Sequence, residues 1–306
     1  MEQRSLGSNG PAVPILGLGC NNFGGRIDFA ATEKVVAKAL ELGVTLFDTA
    51  DNYGGGRSEE FLGRILGARR NDVLIASKFG IQGGASRRHT LASCEASLKR
   101  LKTSWIDLYQ LHRPDPATPI EETLEALDEL RRQGKVRQIG CSYLTGAEFE
   151  AAGDAAARHG LAPFTTCQNE YSLLVRDIER DLVPAMRRHG TGFLPYLPLA
   201  GGLLTGKYRR GAPMPKGARL TEQSWTASRV LNERNWRIVE KLEPFCAKRG
   251  RSLLELAMSW LKAQQFVTCI IAGATKPEQV AANRKALDWA LTPDELAEID
   301  RLTLTP

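Results

Sequence analysis

Short apolar runs alternate with stretches of helical periodicity along almost the whole chain. Ile15–Gly19 reads as a brief strand, and apolar residues at helical spacing follow from Ala30 to Leu42. Thr45–Asp48 is a second strand, with a helix around Ser58–Leu66, where Ser58, Glu59 and Glu60 suit a helix start. Val73–Ala76 is a third strand ending at Lys78, and Leu91, Cys94, Leu98 and Leu101 form the apolar stripe of the next helix. Strands at Ile106–His112, Val136–Cys141, Thr165–Asn169 and Gly192–Leu197 are separated by helices at Ile120–Leu130, Gly146–His159 and Ile178–His189. A Gly-, Pro- and Arg-containing stretch, Leu199–Ser228, then breaks the rhythm. Helices at Asn232–Arg249 and Leu253–Ala263 precede an eighth strand, Thr268–Ala272, and the last helices begin near Pro277 and Pro293.

Alternation of this kind implies a parallel sheet with helices outside it. Eight strand-then-helix units with no break in composition predict an α/β fold, a closed (β/α)₈ TIM barrel. It would carry a long loop after strand seven and extra C-terminal helices. The length of 306 residues is about twice the usual ~150 per domain, so the count alone allows two domains; the pattern favours a single domain over residues 1–306.

Composition changes this picture little. Hydrophobic residues at 42% suffice for a large core, and 41 Lys+Arg against 35 Asp+Glu leave a net +6 that suits an anionic small ligand without indicating nucleic acid. The six cysteines are scattered with no CxxC, which predicts reduced, mostly buried thiols. The first fifteen residues hold no secretory apolar run, and nowhere do ~18 apolar residues follow one another. A cytoplasmic, enzyme-sized protein with no membrane or nucleic-acid partner is expected, monomeric by default.

Two nucleotide-binding motifs are imitated and fail. Gly17-Leu-Gly19 follows a strand, but Asn22 stands where the third glycine of the Rossmann fingerprint belongs. Gly201–Lys207 copies most of a P-loop, but Tyr208 replaces the hydroxyl residue that would hold Mg²⁺. Neither HxH nor HExxH occurs, so no metal is expected, and His89, His159 and His189 read as solvated surface residues. Barrel chemistry sits at the C-terminal strand ends. The polar residues there are Asp48, Lys78, His112, Ser142 and Gln168-Asn169, with Tyr53 five residues after Asp48. Each alone has a structural explanation as a cap, a solvated cation or a loop aromatic. An acid, a cation, a phenol and an imidazole converging on one mouth form a catalytic constellation.

The sequence resembles the aldo-keto reductase family over nearly its whole length. The resemblance is carried by Leu16–Gly19, Phe47–Tyr53, Ser77–Phe79, Asp107–His112 and Ile139–Ser142. It continues through Gln168–Tyr171, Tyr196–Gly202 and Gly273–Gln279 with Asn283. It implies a hydride transfer between a nicotinamide cofactor and a carbonyl or alcohol substrate. Tyr53 would be the general acid, and Asp48, Lys78 and His112 the rest of a catalytic tetrad. A free phenol has pKa near 10. The expected device is an ammonium, Lys78, that lowers it towards the working range while Asp48 holds the lysine and His112 orients the substrate oxygen.

The same resemblance assigns the cofactor. Ser142 and Gln168 would hold the carboxamide and Tyr196 would stack on the nicotinamide ring. Leu197, Leu199 and Gly201 would lie against the pyrophosphate, and Gly273, Thr275, Lys276, Gln279 and Asn283 would hold the adenosine end. Lys276 is the candidate for the 2′-phosphate, hence NADP(H) in preference to NAD(H). Thr275 with Glu278 also reads as a helix-capping pair. The loop after strand one, with Gly19, Cys20 and Asn21, is expected to border the nicotinamide. Phe23, Phe79, Arg113, Tyr143 and Trp225 are expected pocket walls. Three positions depart from the family pattern: Tyr143 replaces the usual Asn, Leu197 replaces Ser, and Thr275 stands where some members carry Arg. The alternative is a nucleotide-sensing regulatory subunit like the potassium-channel β proteins. Only about fifteen residues precede strand one, which weighs against a long inactivating extension. The basic stretch Ala200–Ser228, with Arg209, Arg210, Lys216 and Arg219, reads as a solvated insertion or as a clasp over the cofactor.

Overall fold

A computed structural model describes residues 1–8 and 10–304, which pack as two compact units. The first comprises Met1–Asn169, Asp177–Tyr196 and Phe266–Ala281. It opens with an antiparallel hairpin, β1 (Gln3–Ser5) and β2 (Ala12–Pro14). The parallel strands follow: β3 (Leu16–Gly19), β4 (Leu46–Asp48), β5 (Leu74–Phe79), β6 (Ile106–Leu111), β7 (Val136–Ser142), β8 (Thr166–Gln168), β9 (Gly192–Phe193) and β10 (Ile270–Gly273). After β3 to β8 come α1 (Phe29–Glu41), α2 (Arg57–Leu66), α3 (Arg87–Leu101), α4 (Ile120–Arg132), α5 (Gly146–His159) and α6 (Leu182–Arg188) in turn.

The sheet order is β10-β3-β4-β5-β6-β7-β8-β9. Its two ends also meet. Thr268 N–H donates to Phe193 O at 2.8 Å, Ile271 N–H donates to Pro195 O at 3.0 Å, and Phe193 bridges Val267 in parallel register. The eight strands therefore close on themselves, as a (β/α)₈ barrel requires. A strand covered on both faces should be mostly apolar, and all residues of β3 and β6 are buried, Asp107 and Gln110 of β6 among them. Leu6 and Val13 of the hairpin pack on Leu46, Ala76, Leu108, Leu194, Cys269 and Ile271. Helix starts follow local chemistry: the Asp28 carboxylate accepts from Ala31 N–H, and Thr145 with Glu148 forms a capping box.

The second unit comprises Glu170–Arg176, Leu197–Gln265 and the residues from Ala282. It holds α7 (Arg219–Glu222), α8 (Ser224–Val230), α9 (Glu233–Ala247) and α10 (Leu253–Ala263). In the chain, α11 (Pro277–Lys285) follows β10, and α12 (Pro293–Leu304) ends the described residues. In this unit Trp260 is buried with its ring 5.1 Å from that of Tyr171, under the Arg176 guanidinium.

Three expectations need correction. The hairpin β1–β2 is missed by the periodicity, because three-residue strands are too short to show a period, although the Asn9-Gly10 dipeptide between them is a turn signal. The seventh barrel strand stops at Phe193, short of Leu197, since Pro195 cannot donate to a ladder. The stretch Leu199–Ser228 is not all irregular: it carries the 3₁₀ turn Ala200–Thr205 as well as α7 and α8. All six cysteines are free and buried, as expected of reduced thiols. Among the described residues no helix is long and apolar enough to cross a membrane.

Candidate active site

Three neighbouring strands supply the reactive groups. Asp48 ends β4, Lys78 lies on β5 one residue before its end, and His112 follows β6 directly. Tyr53 reaches the same place through a tight 3₁₀ turn, Tyr53–Gly56, in which Gly54 and Gly55 are left-handed at φ 59° and 69°. A side chain at Gly54 would also meet Phe23 O at 2.6 Å, so this turn needs glycine on both counts.

Lys78 is the hub. Its Nζ donates to Asp48 Oδ2 at 2.7 Å, to Thr49 O at 2.8 Å and to the Tyr53 hydroxyl at 3.4 Å. Both members of the ion pair are buried, and the other Asp48 oxygen accepts from Gln168 Nε2 at 2.9 Å. An ammonium with three partners and a carboxylate with both oxygens engaged is the arrangement that makes a buried pair tolerable. The His112 ring meets the Tyr53 ring edge-on, with centroids 5.7 Å apart and planes at 80°.

Burial favours the neutral form of each group, which lowers an ammonium or an imidazolium and raises a phenol. It pushes the Lys78 ammonium towards neutrality, but Asp48 and Tyr53 outweigh it and the net direction is up, so Lys78 is charged. Burial raises the Tyr53 phenol, with Lys78 pulling against it, and the net direction is also up. The expectation that Lys78 brings the phenol down to the working range is thus corrected: desolvation wins, and Tyr53 keeps its proton throughout the neutral range. His112 is pushed down to about 2, first by burial and then by Lys78 and Arg113, so the imidazole is neutral. Its Nδ1 is buried with no hydrogen-bond partner among the described residues. The cluster therefore presents a protonated phenol beside a fixed cation and a neutral ring. It can give a proton to an oxygen that is gaining negative charge.

An aromatic row continues from His112. Tyr143 lies 6.5 Å from it and Tyr196 5.3 Å beyond Tyr143, centroid to centroid. Tyr143 is left-handed at φ 63°, held there by its N–H, which donates to Gln168 O at 3.2 Å and to Asn169 Oδ1 at 3.0 Å. Ser142 is buried and its hydroxyl donates to Gln168 O at 2.6 Å, which leaves its lone pairs to accept. Gln168 is also buried, and its amide is turned to Asp48.

Several of the positions expected to hold a dinucleotide lie in the barrel unit. Gly19 and Gly273 lie side by side across β3 and β10, and a side chain at Gly273 would stand tight against Asn22 at 3.3 Å, with Gly19 O in ordinary contact at 3.6 Å. The exposed Lys276 follows, and Thr275 N–H donates to Gln279 Oε1 at 2.7 Å, so Thr275 pairs with Gln279 and not with Glu278. Tyr196 is half-buried and Asn21 exposed, whereas the Cys20 thiol is buried and pushed well up by desolvation. In the second unit, Leu197 and Ala200 are left-handed at φ 50° and 46°, and Leu199 O accepts from Gly202 N–H at 2.8 Å. There Gly201 is left-handed at φ 65°, which favours glycine, and a side chain on it would also meet the tip of Leu220 at 2.7 Å. Asn283 is buried in the same unit.

Of the expected pocket walls, Phe23 and Phe79 are corrected. Both are fully buried, and Phe79 stacks on Tyr109 at 4.8 Å, so they are core residues with no accessible face. Arg113 and Tyr143 are exposed beside His112. Trp225 is 71% exposed on α8 of the second unit, with the Arg229 guanidinium over its ring. Sequence reasoning missed Gln110, whose Nε2 lies 3.5 Å from Asp48 Oδ1, and Asp51, whose carboxyl burial and Glu59 raise to about 6. Gln110 sits two residues before His112 on β6 and so shares its inward face, a signal that alternation alone supplied.

The model of the aldo/keto reductase family matches residues 15–303. Among curated relatives, a probable voltage-gated potassium channel subunit beta of Arabidopsis thaliana is 34% identical over 99% of this chain and 96% of its own length. Its counterpart in Oryza sativa subsp. japonica is 35% identical over 98% and 96%. An L-glyceraldehyde 3-phosphate reductase of Escherichia coli (strain K12) is 33% identical over 98% and 92%.

Proposed function

The chain belongs to the aldo/keto reductase family, and from that membership we propose that it reduces an aldehyde or ketone to the alcohol with NADPH, as a monomer in the cytoplasm. The observation that carries the reading is the hydrogen bond from Lys78 Nζ to the Tyr53 hydroxyl, made by a lysine already locked on Asp48. When bound, the cofactor supplies a hydride to the carbonyl carbon, which leaves the protein to position the substrate and provide one proton. Tyr53 delivers that proton from its hydroxyl to the carbonyl oxygen. Lys78 is the positive charge beside the phenolate that remains, so its stabilisation grows as the reaction proceeds. Neutral His112 donates a hydrogen bond to the same oxygen and fixes its direction. Ser142 and Gln168 would receive the carboxamide, Tyr196 the ring face, and Lys276 the 2′-phosphate. The roles of Leu197, Leu199, Gly201 and Asn283 rest on family resemblance alone.

The test is NADPH oxidation with 4-nitrobenzaldehyde, compared with NADH. Turnover that vanishes in Tyr53→Phe supports the reading; turnover unchanged in that variant sinks it. The two channel-subunit relatives favour a second reading, a nucleotide sensor with slow chemistry. Retained NADPH, negligible turnover on many carbonyls and a stable partner complex would favour it.

A further inference from the structure

Arg113 follows His112 in the chain and lays its guanidinium over the Tyr143 ring, with Cζ 4.4 Å from the centroid. Tyr143 is in turn the ring next to His112. Among the described residues no carboxylate lies within ion-pair distance of Arg113. The nearest acid along the chain, Asp115, is fully committed elsewhere. It accepts from Ala85 N–H at 2.8 Å, Ala117 N–H at 3.0 Å and the Thr118 hydroxyl at 2.7 Å. Most arginines of this chain lie against an acid, as Arg70 does on Asp107 and Arg100 on Glu59; Arg64 and Arg187 also lie on aromatic rings, but Arg113 does so beside the imidazole.

A guanidinium resting on a ring keeps its charge and its in-plane N–H groups for another partner, in the fork geometry that suits carboxylate or phosphate. Its platform is fixed, because the left-handed backbone of Tyr143 is tied down by Gln168 and Asn169. The electrostatic reach is in keeping: Arg113 acts on His112, and the Tyr143 phenol acts on Tyr53.

We infer that the carbonyl substrate carries an anionic group, a carboxylate or a phosphate, and that Arg113 on its Tyr143 platform binds that group and sets specificity. The inference rests on the carbonyl-reductase reading and deepens it.

Kinetics with NADPH should compare 4-formylbenzoate with its methyl ester, and glycolaldehyde phosphate with glycolaldehyde, in the wild type and in Arg113→Met. We expect each anion to exceed its neutral partner in kcat/KM by about 10–100-fold, through KM, and that ratio to collapse in Arg113→Met and partly return in Arg113→Lys. The pair with the larger ratio identifies the group. A wild-type ratio near one, or a ratio untouched by Arg113→Met, overturns the inference, as does a defect confined to the KM for NADPH. Reduction of the neutral compounds without anion preference removes the inference and leaves the reductase reading intact. Conversely, calorimetric binding of 4-(hydroxymethyl)benzoate that is lost in Arg113→Met, with none of the four aldehydes reduced, keeps the anion site and removes the reductase reading.

Discussion

Gln168 donates to Asp48 through Nε2 at 2.9 Å, on the carboxylate oxygen that Lys78 does not use. A residue expected to serve the cofactor thus fixes the acid that holds Lys78. Gln168→Leu would leave that oxygen, among the described residues, with Gln110 alone at 3.5 Å. We expect a loss of about 1–3 kcal/mol in unfolding free energy, the cost of a buried acceptor without its donor. Urea denaturation measures it, and a change under ~0.5 kcal/mol would show the contact to be dispensable.

Chemistry and stability separate between Tyr53 and Lys78. Tyr53→Phe removes a hydroxyl whose hydrogen bond from Lys78 is 3.4 Å long, so folding should be nearly unaffected while kcat/KM falls at least ~10²-fold. Lys78→Met strands the buried Asp48 charge, and should cost about 3–5 kcal/mol of stability as well as activity. Thermal melts run beside the assays distinguish the two; equal destabilisation by both variants contradicts the assignment.

The imidazole makes a statement about pH. With His112 lowered to about 2 and Tyr53 raised above its ordinary value near 10, neither changes its proton between pH 6 and 9. The kcat/KM of reduction should be flat across that window. A step near 6.5 that disappears in His112→Gln would mean the ring titrates normally.

Asp51 works against the fold. Its carboxyl titrates at about 6 in the native state, against an ordinary 3.8, so the unfolded chain ionises first. The native state then holds the extra proton between those values, and stability falls as pH rises through them, reaching its lower plateau above about 6. Asp51→Asn should be more stable than wild type at pH 7.5, by roughly 1–3 kcal/mol after allowance for partial exposure, with no advantage below pH 4. Melting temperatures at the two pH values check this.

Tyr143 occupies backbone space that favours Gly and Asn. Tyr143→Asn should keep stability within about 1 kcal/mol, because the loss of ring contacts is offset by relief at a left-handed φ of 63°. Tyr143→Val, β-branched at the same φ, should lose at least ~1 kcal/mol more, read by denaturant midpoint.

The barrel was legible because parallel strands covered on both sides are short, mostly apolar runs; β3 and β6 are buried throughout, although β6 also carries Asp107 and Gln110. The four reactive residues were legible for the same reason, since strand ends locate them. What escaped was whatever depends on burial or on contacts far along the chain. The three-residue hairpin strands have no period. Phe23 and Phe79 lie near the site in sequence but point into packed core. The direction of the Tyr53 shift turned on desolvation, which no spacing of charges reveals. Ser142 and Tyr143 owe their settings to Gln168 and Asn169, a strand away.

Asp48, Lys78 and His112 stand on three strands adjacent in the sheet, β4, β5 and β6, with Tyr53 on the first intervening loop. The proton-handling groups are therefore one arc of wall, encoded between residues 48 and 112, while Tyr143, Tyr196 and Gly273 stand on a different arc. The hydrogen bonds that tie Asp48, Lys78 and Tyr53 together are made within the first arc, and Gln168 of β8 is the one link that reaches them from the second among the bonds described above. An exchange at Tyr143, Tyr196 or Gly273 therefore leaves those bonds in place.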